Sequence, residues 1–96
     1  MGLDHFRDEA RDFLAAVGDA RLSTPRLLER LDEELALLKK STDDPAKLQH
    51  QTYDILFLLF ELAAVRNLDL DAEWARGREH KCKKYLKGVT GEGGAG

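Results

Sequence analysis

The hydrophobic positions of this chain fall into four helical segments separated by polar or helix-breaking residues. Phe6, Ala10, Phe13, Leu14 and Val17 recur at helical spacing over 3–17, with Asp8, Glu9, Arg11 and Asp12 interleaved as a solvent face. Gly18 is a suitable C-terminal stop, and a loop runs from it to Ser23. Thr24-Pro25 opens a second helix, because a hydroxyl can cap free N–H groups and proline suits the first turn. With Leu28 at 0° on a wheel of 100° per residue, Leu28, Leu31, Leu35 and Leu38 share one face between about 280° and 360°. On the same wheel Glu33 lies near about 140° and Glu34 near about 240°, both off the centre of that face. Lys39-Lys40 end the helix, where cations complement the dipole, and Ser41-Thr42-Asp43 turn the chain.

Asp44-Pro45 repeats the cap-and-proline start before the most apolar stretch of the chain, Tyr53 to Val65. Ile55 through Leu62 put apolar side chains all the way round, so more than one neighbour must cover this central helix. Asp54 and Glu61 interrupt it, and it is too short to cross a bilayer. Asn67 closes it, and Asp69 or Asp71 opens a fourth helix over 70–87, with Leu70, Trp74, Tyr85 and Leu86 as its buried residues. No strand-like alternation or internal repeat intervenes. The expected fold is an all-α, four-helix bundle.

Composition adds three constraints. Five of the eight glycines lie in 88–96, so that segment has little to bury and the expected domain is 1–87 followed by a flexible Gly-rich tail. A core this small, built on a helix apolar on every side, would gain from burial between subunits, which predicts a homodimer or homotetramer. The single Cys82 and the lack of a signal-peptide pattern point to a cytoplasmic protein. The net charge of −3 conceals an asymmetry: residues 1–75 carry a balance of −7 and residues 76–96 a balance of +4. A chain acidic over most of its length does not bind nucleic acid through its overall field, while its basic end can hold a small anion.

Two groups of residues bear on chemistry. Glu29, Asp32, Glu33 and Glu34 on the second helix can meet Asp54 and Glu61 on the third if the two pack antiparallel, and facing carboxylates in a bundle bind hard divalent cations. The plainer alternative is an ordinary solvated face. His50 and Asp54 stand i, i+4, which suits a general base, a metal ligand or a surface ion pair; His5 and His80 have no evident partner. On the fourth helix, Arg76, Arg78, Lys81, Lys83, Lys84 and Lys87 form a basic cluster in which Lys81 and Lys84, one turn apart, suit a polyphosphate. Its alternative is a solvated helix end whose cations complement the dipole. There is no Gly-rich phosphate loop and no Cys/His zinc spacing, and Cys82 has no activating base.

The runs Leu31-Asp32-Glu33-Glu34-Leu35-Ala36-Leu37-Leu38, Gln51-Thr52-Tyr53-Asp54-Ile55-Leu56-Phe57-Leu58-Leu59 and Asn67-Leu68-Asp69-Leu70-Asp71 resemble the MazG-like superfamily of all-α nucleoside triphosphate pyrophosphohydrolases, related to phosphoribosyl-ATP pyrophosphohydrolase. The similarity runs from about Ser23 to Tyr85, ending in Lys81-Cys82-Lys83-Lys84-Tyr85. It implies a Mg²⁺ site made by an E-x-x-E pair on one helix and an E-x-x-D pair on the next, used to split a nucleotide into monophosphate and pyrophosphate. Glu34 falls on the first glutamate, preceded by the acidic Glu33, and Asp54 on the final aspartate. Leu37 and Gln51 stand where the other two carboxylates belong. Gln51 still offers a carbonyl oxygen; Leu37 offers no donor. The implied set is therefore Glu33, Glu34, Gln51 and Asp54 for Mg²⁺ or Mn²⁺, with Glu34 and Asp54 catalytic, Lys81 and Lys84 on substrate phosphate and His50 auxiliary. A second reading keeps the bundle for nucleotide binding or assembly without catalysis, and a third is a helical partner-binding module.

Overall fold

A computed structural model describes residues 2–18 and 23–86. Among these residues the chain forms four α-helices and no strand: α1 Leu3–Ala16, α2 Thr24–Lys39, α3 Pro45–Arg66 and α4 Leu70–Lys81, the last running into a turn of π-helix at Cys82–Leu86. Residues 87–96 and the expected tail they contain lie outside the described residues, as does most of the 18–23 loop.

Local chemistry sets the helix ends. Ser23 rather than Thr24 caps α2, its hydroxyl accepting from the Arg26 N–H at 3.3 Å, one residue earlier than the Thr-Pro pair suggests. Asp44 caps α3 by accepting from the Ala46 and Lys47 N–H groups at 3.1 and 3.2 Å, with Pro45 in the first turn. Asn67 ends α3 in the left-handed conformation, φ 53°, which asparagine tolerates better than most residues. Asp69, not Asp71, caps α4, accepting from the Ala72 N–H at 3.0 Å.

α3 is the central element. α2 packs on it antiparallel, with Arg30 and Glu34 level with Asp54–Glu61 and Ser41 level with Lys47–Gln51. α1 packs on it from another side, also antiparallel: Phe6 meets Phe60 with ring centroids 5.7 Å apart, and Phe13 meets Phe57 edge-on at 5.3 Å. The expected demand for more than one neighbour around α3 is thus met in part. The fully buried apolar residues are few: Ala10 and Leu14 from α1, Leu27 from α2 and Ala63 from α3. Tyr53, Leu56 and Leu59 on α3 stay substantially exposed, as do Phe13 on α1 and Val17 just after it.

Two expectations about faces are corrected. On α2 the inward residues are Leu27, Leu31, Glu34, Leu38 and the following Ser41, whereas Leu28 and Leu35 are exposed. The buried stripe is therefore rotated toward Leu27, and that rotation carries Glu34 inward. On α4, Trp74 is 66% exposed and Tyr85 65%, and Leu86 is also exposed, so they do not form a buried face. The physical reason is that α4 leaves the bundle. It is pinned near its first turn to the first turn of α1 and projects beyond it, giving an elongated chain of 52 × 34 × 24 Å.

The pin is reciprocal. The Asp71 carboxylate accepts from the Leu3 N–H at 2.7 Å and the Asp4 N–H at 3.3 Å. The Asp4 carboxylate accepts from the Leu70 N–H at 2.8 Å and the Asp71 N–H at 3.4 Å. Each aspartate thus satisfies free N–H groups at the start of the other helix, where the helix dipole also favours negative charge. Arg7 braces the junction, pairing with Asp4 at 3.3 Å and donating to the Leu68 carbonyl at 2.6 Å. Desolvation pushes the Asp4 carboxyl up, but the Leu70 and Asp71 N–H groups, Arg7 and Asp69 together bring it below its ordinary value.

Candidate functional site

The antiparallel α2–α3 pair, with α1 alongside, encloses an open cleft of about 910 Å³. α1 supplies Glu9, Asp12 and Phe13, α2 supplies Arg30, Glu33 and Glu34, and α3 supplies Tyr53, Asp54, Phe57, Leu58 and Glu61. Six carboxylates thus face one guanidinium over an aromatic floor. Glu33, Glu34 and Asp54, taken from two helices by sequence pattern, line one cleft. Glu61 is 4% exposed despite its charge.

Gln51 and His50 line a separate cavity of about 490 Å³ at the α2–α3 turn, together with Leu37, Ser41 and Lys47. Gln51 and Leu37, the two positions that depart from the acidic pattern, therefore sit together one helical turn away from the acidic cleft. His50 Nε2 lies 3.0 Å from Asp54 Oδ2, so the i, i+4 pair forms, and the mostly exposed imidazole ties down one oxygen of the carboxylate.

Among the described residues, two buried side-chain oxygens have no hydrogen-bond partner: Glu34 Oε1 and Gln51 Oε1. An oxygen removed from water without a donor costs about 1–3 kcal/mol, more when it carries charge. Such orphans in a folded chain call for an ion, a water or a ligand to satisfy them. Both are in the set that the family pattern proposes for a metal. Their chemistry, a carboxylate and an amide carbonyl, is that of hard oxygen donors, which suits Mg²⁺ or Mn²⁺. They do not make a complete cage: among the described residues, no three His, Cys, Asp or Glu side chains gather so as to hold a metal ion on their own. Mg²⁺ is commonly held by one or two carboxylates while waters and substrate phosphates complete its shell, so an open partial set fits it where a closed protein cage would not.

The basic residues lie elsewhere. Lys81 lines a third cavity, about 540 Å³, along α4 with Leu3, Leu70, Trp74 and Tyr85, and Lys84 stands over the Tyr85 ring at 5.2 Å. Neither lines the acidic cleft of its own chain, because α4 turns away from the α2–α3 pair. Arg30 is the cation that does line it, one turn before Glu34. That i, i+4 spacing was visible in the sequence as a signal. Glu9 and Asp12 belong to the cleft too, although their pattern reads as solvent face; the packing of α1 on α3, Phe6 on Phe60 and Phe13 on Phe57, brings them there. His5 finds a partner in Glu9 at 3.0 Å.

No helix among the described residues is long and apolar enough to cross a membrane. Compared with family models, with curated proteins and with solved structures, the chain has no match.

Proposed function

We propose that this chain is a MazG-like nucleotide pyrophosphohydrolase that uses the α2–α3 cleft to split a nucleoside triphosphate, or a related phosphoanhydride, into monophosphate and pyrophosphate. The observation that carries the reading is the unpartnered Glu34 carboxylate oxygen, buried in an acidic cleft opposite Asp54. An acidic cleft repels a bare polyphosphate, so a nucleotide enters it as a complex with a divalent cation. In this reading Glu34 and Asp54, with Glu33 on the same wall, would hold Mg²⁺ or Mn²⁺ while waters and substrate phosphates complete the shell, and the Gln51 carbonyl, one turn away in the neighbouring cavity, would support them from there. When bound, the ion neutralises phosphate charge and lowers the pKa of a coordinated water. Glu34 and Asp54 would position the ion, Arg30 would meet phosphate oxygens from inside the cleft, and the exposed ring of Tyr53 with Phe57 would give a base a stacking surface. His50 keeps Asp54 in one rotamer. A cytoplasmic homodimer or homotetramer is part of the same proposal, since α3 and α4 leave large apolar side chains uncovered.

One observation favours a second reading, a nucleotide-binding or assembly protein without turnover. Leu37, at the position where the resemblance expects a second glutamate, lines the neighbouring cavity and offers no donor, and Gln51 brings no charge.

Pyrophosphate release from a panel of standard and damaged nucleoside triphosphates, with Mg²⁺ and Mn²⁺ tested separately, separates the two. The enzyme reading expects metal-dependent release that Asp54→Asn lowers by about 100-fold or more. Release unchanged in Asp54→Asn overturns it. No release from the natural protein, with release created by Leu37→Glu combined with Gln51→Glu, establishes the second reading.

A further inference from the structure

The surface of one chain contains two unfilled halves of opposite character. The projecting α4 and its π-turn expose Trp74, Tyr85 and Leu86, and among the described residues Arg78, Lys81 and Lys84 there have no carboxylate partner. The acidic cleft exposes Phe13 and Tyr53 at 49% and 59%, beside Glu9, Asp12 and Glu33. One half is cationic and aromatic, the other anionic and aromatic. Within a chain they do not meet, since α4 lines its own cavity and not the cleft.

We propose that the two halves meet between copies: α4 of one chain enters the acidic cleft of a second, and the second returns its own α4, closing a two-fold dimer by reciprocal exchange. Opposite charges brought into a partly desolvated cleft attract far more strongly than across open water, and like-charged pairings are rejected at the same place. A patch that carries both halves is self-complementary, which is what a two-fold interface requires, and reciprocal exchange closes the assembly without leaving a free arm. The Asp4–Asp71 pin holds the base of the arm, so its direction is set before association. A basic helix with Trp and Tyr also suits an anionic bilayer. Charge complementarity decides for a second copy, because residues 1–75 bear an excess of seven negative charges that a bilayer of the same sign would repel. Exchange brings Lys81 and Lys84 to the acidic cleft of the second copy, where they would add phosphate-binding cations to the Arg30 that each chain supplies itself. That consequence rests on the nucleotide reading; the association does not.

Light scattering of the full chain coupled to size exclusion tests the exchange by charge reversal. The arm variant carries Lys81→Glu and Lys84→Glu, and the cleft variant carries Glu9→Lys and Asp12→Lys, none of them in the proposed metal set. The natural protein is expected at the mass of two chains. Each variant alone is expected at the mass of one chain with undiminished helical circular dichroism, and their equimolar mixture at two chains again, because both arm–cleft pairings become complementary. A natural protein at one-chain mass, a variant that stays at two chains, or a mixture that fails to recover overturns the proposal. If a variant loses helicity, Asp12→Cys decides instead. Oxidation is expected to link it to the exposed Cys82 of a second copy, and peptide mapping that finds no such link also overturns the exchange. A mass shift toward two chains only on adding anionic vesicles would assign α4 to the bilayer and likewise overturn it.

Discussion

The α2–α3 pair and α4 are built from similar local signals and end in opposite situations. Each of the three helices begins at a side-chain cap that accepts from its own first turn: Ser23, Asp44 and Asp69. Yet α2 and α3 bury Leu27 and Ala63 against neighbours, while α4 has no buried residue at all. Caps and propensity start a helix; only a neighbour with a matching face decides what it buries. The chemistry divides the same way. In the α2–α3 region burial leaves charged and polar oxygens short of partners, whereas the charged side chains of α4 and its π-turn are exposed, and Arg76 and Lys83 form i, i+3 and i, i+4 pairs with Glu73 and Glu79. A ligand has much to satisfy in the first region. In the second, a partner has apolar surface to cover.

The sharpest way to break this comparison is to remove one large apolar side chain from each region. Leu27 is 2% exposed, so Leu27→Ala is expected to cost about 2–5 kcal/mol of unfolding free energy through lost transfer energy and a residual cavity. Trp74→Ala, measured on the monomeric arm variant so that association does not contribute, is expected to cost no more than about 0.5 kcal/mol. Urea titrations that give the two substitutions equal effects would show that α4 is packed as firmly as α2. Next in size is the cap of α3: Asp44→Ala removes the acceptor for two N–H groups and is expected to cost about 1 kcal/mol in the same titration.

A smaller and more local effect concerns the pin. Because the folded state holds Asp4 below its ordinary value, its contribution is complete above that value and is lost as pH falls through the lowered one. Amide exchange at Leu70 and Asp71 should therefore remain protected down to about pH 4 and become relatively faster below it, and Asp4→Asn should remove that acid dependence at all pH values. Protection of these amides that ignores both acid and the substitution would mean that α4 is held by packing and not by the crossed caps.

Legibility in the sequence followed the range of the interactions. Asp44-Pro45, Asn67 and the Gly18 stop act within a few residues, and the helices they bound lie where the pattern expects them. Gly18 has the positive φ, 82°, that such a stop uses. A wheel drawn from Leu28 sets the face of α2 off the buried one, since it omits Leu27, the best buried residue of the helix, and the face that is buried includes Glu34 where the wheel leaves it off-centre. Trp74 and Tyr85 differ from expectation for another reason: an apolar side chain on a helix signals a need for cover, and among the described residues of one chain nothing covers these two. In the cleft, a meeting of α2 and α3 carboxylates follows from spacing, because a five-residue connection between the two forces the helices side by side, while the choice of Glu33, Glu34 and Asp54 among them comes from the resemblance. Glu9 and Asp12 could not, because their place depends on which side of α3 the first helix chooses.

The central claim is that the buried Glu34 oxygen is directed at a cation which a phosphate compound brings into the cleft. Mn²⁺ titration followed by electron paramagnetic resonance, in the presence of a non-hydrolysable nucleoside triphosphate, tests it in both the catalytic and the non-catalytic reading. The natural protein is expected to bind the Mn²⁺–nucleotide complex, with Glu34→Gln weakening that binding by about 10–100-fold and Glu29→Gln, outside the cleft, leaving it unchanged. Equal binding by the natural protein and Glu34→Gln would contradict the claim.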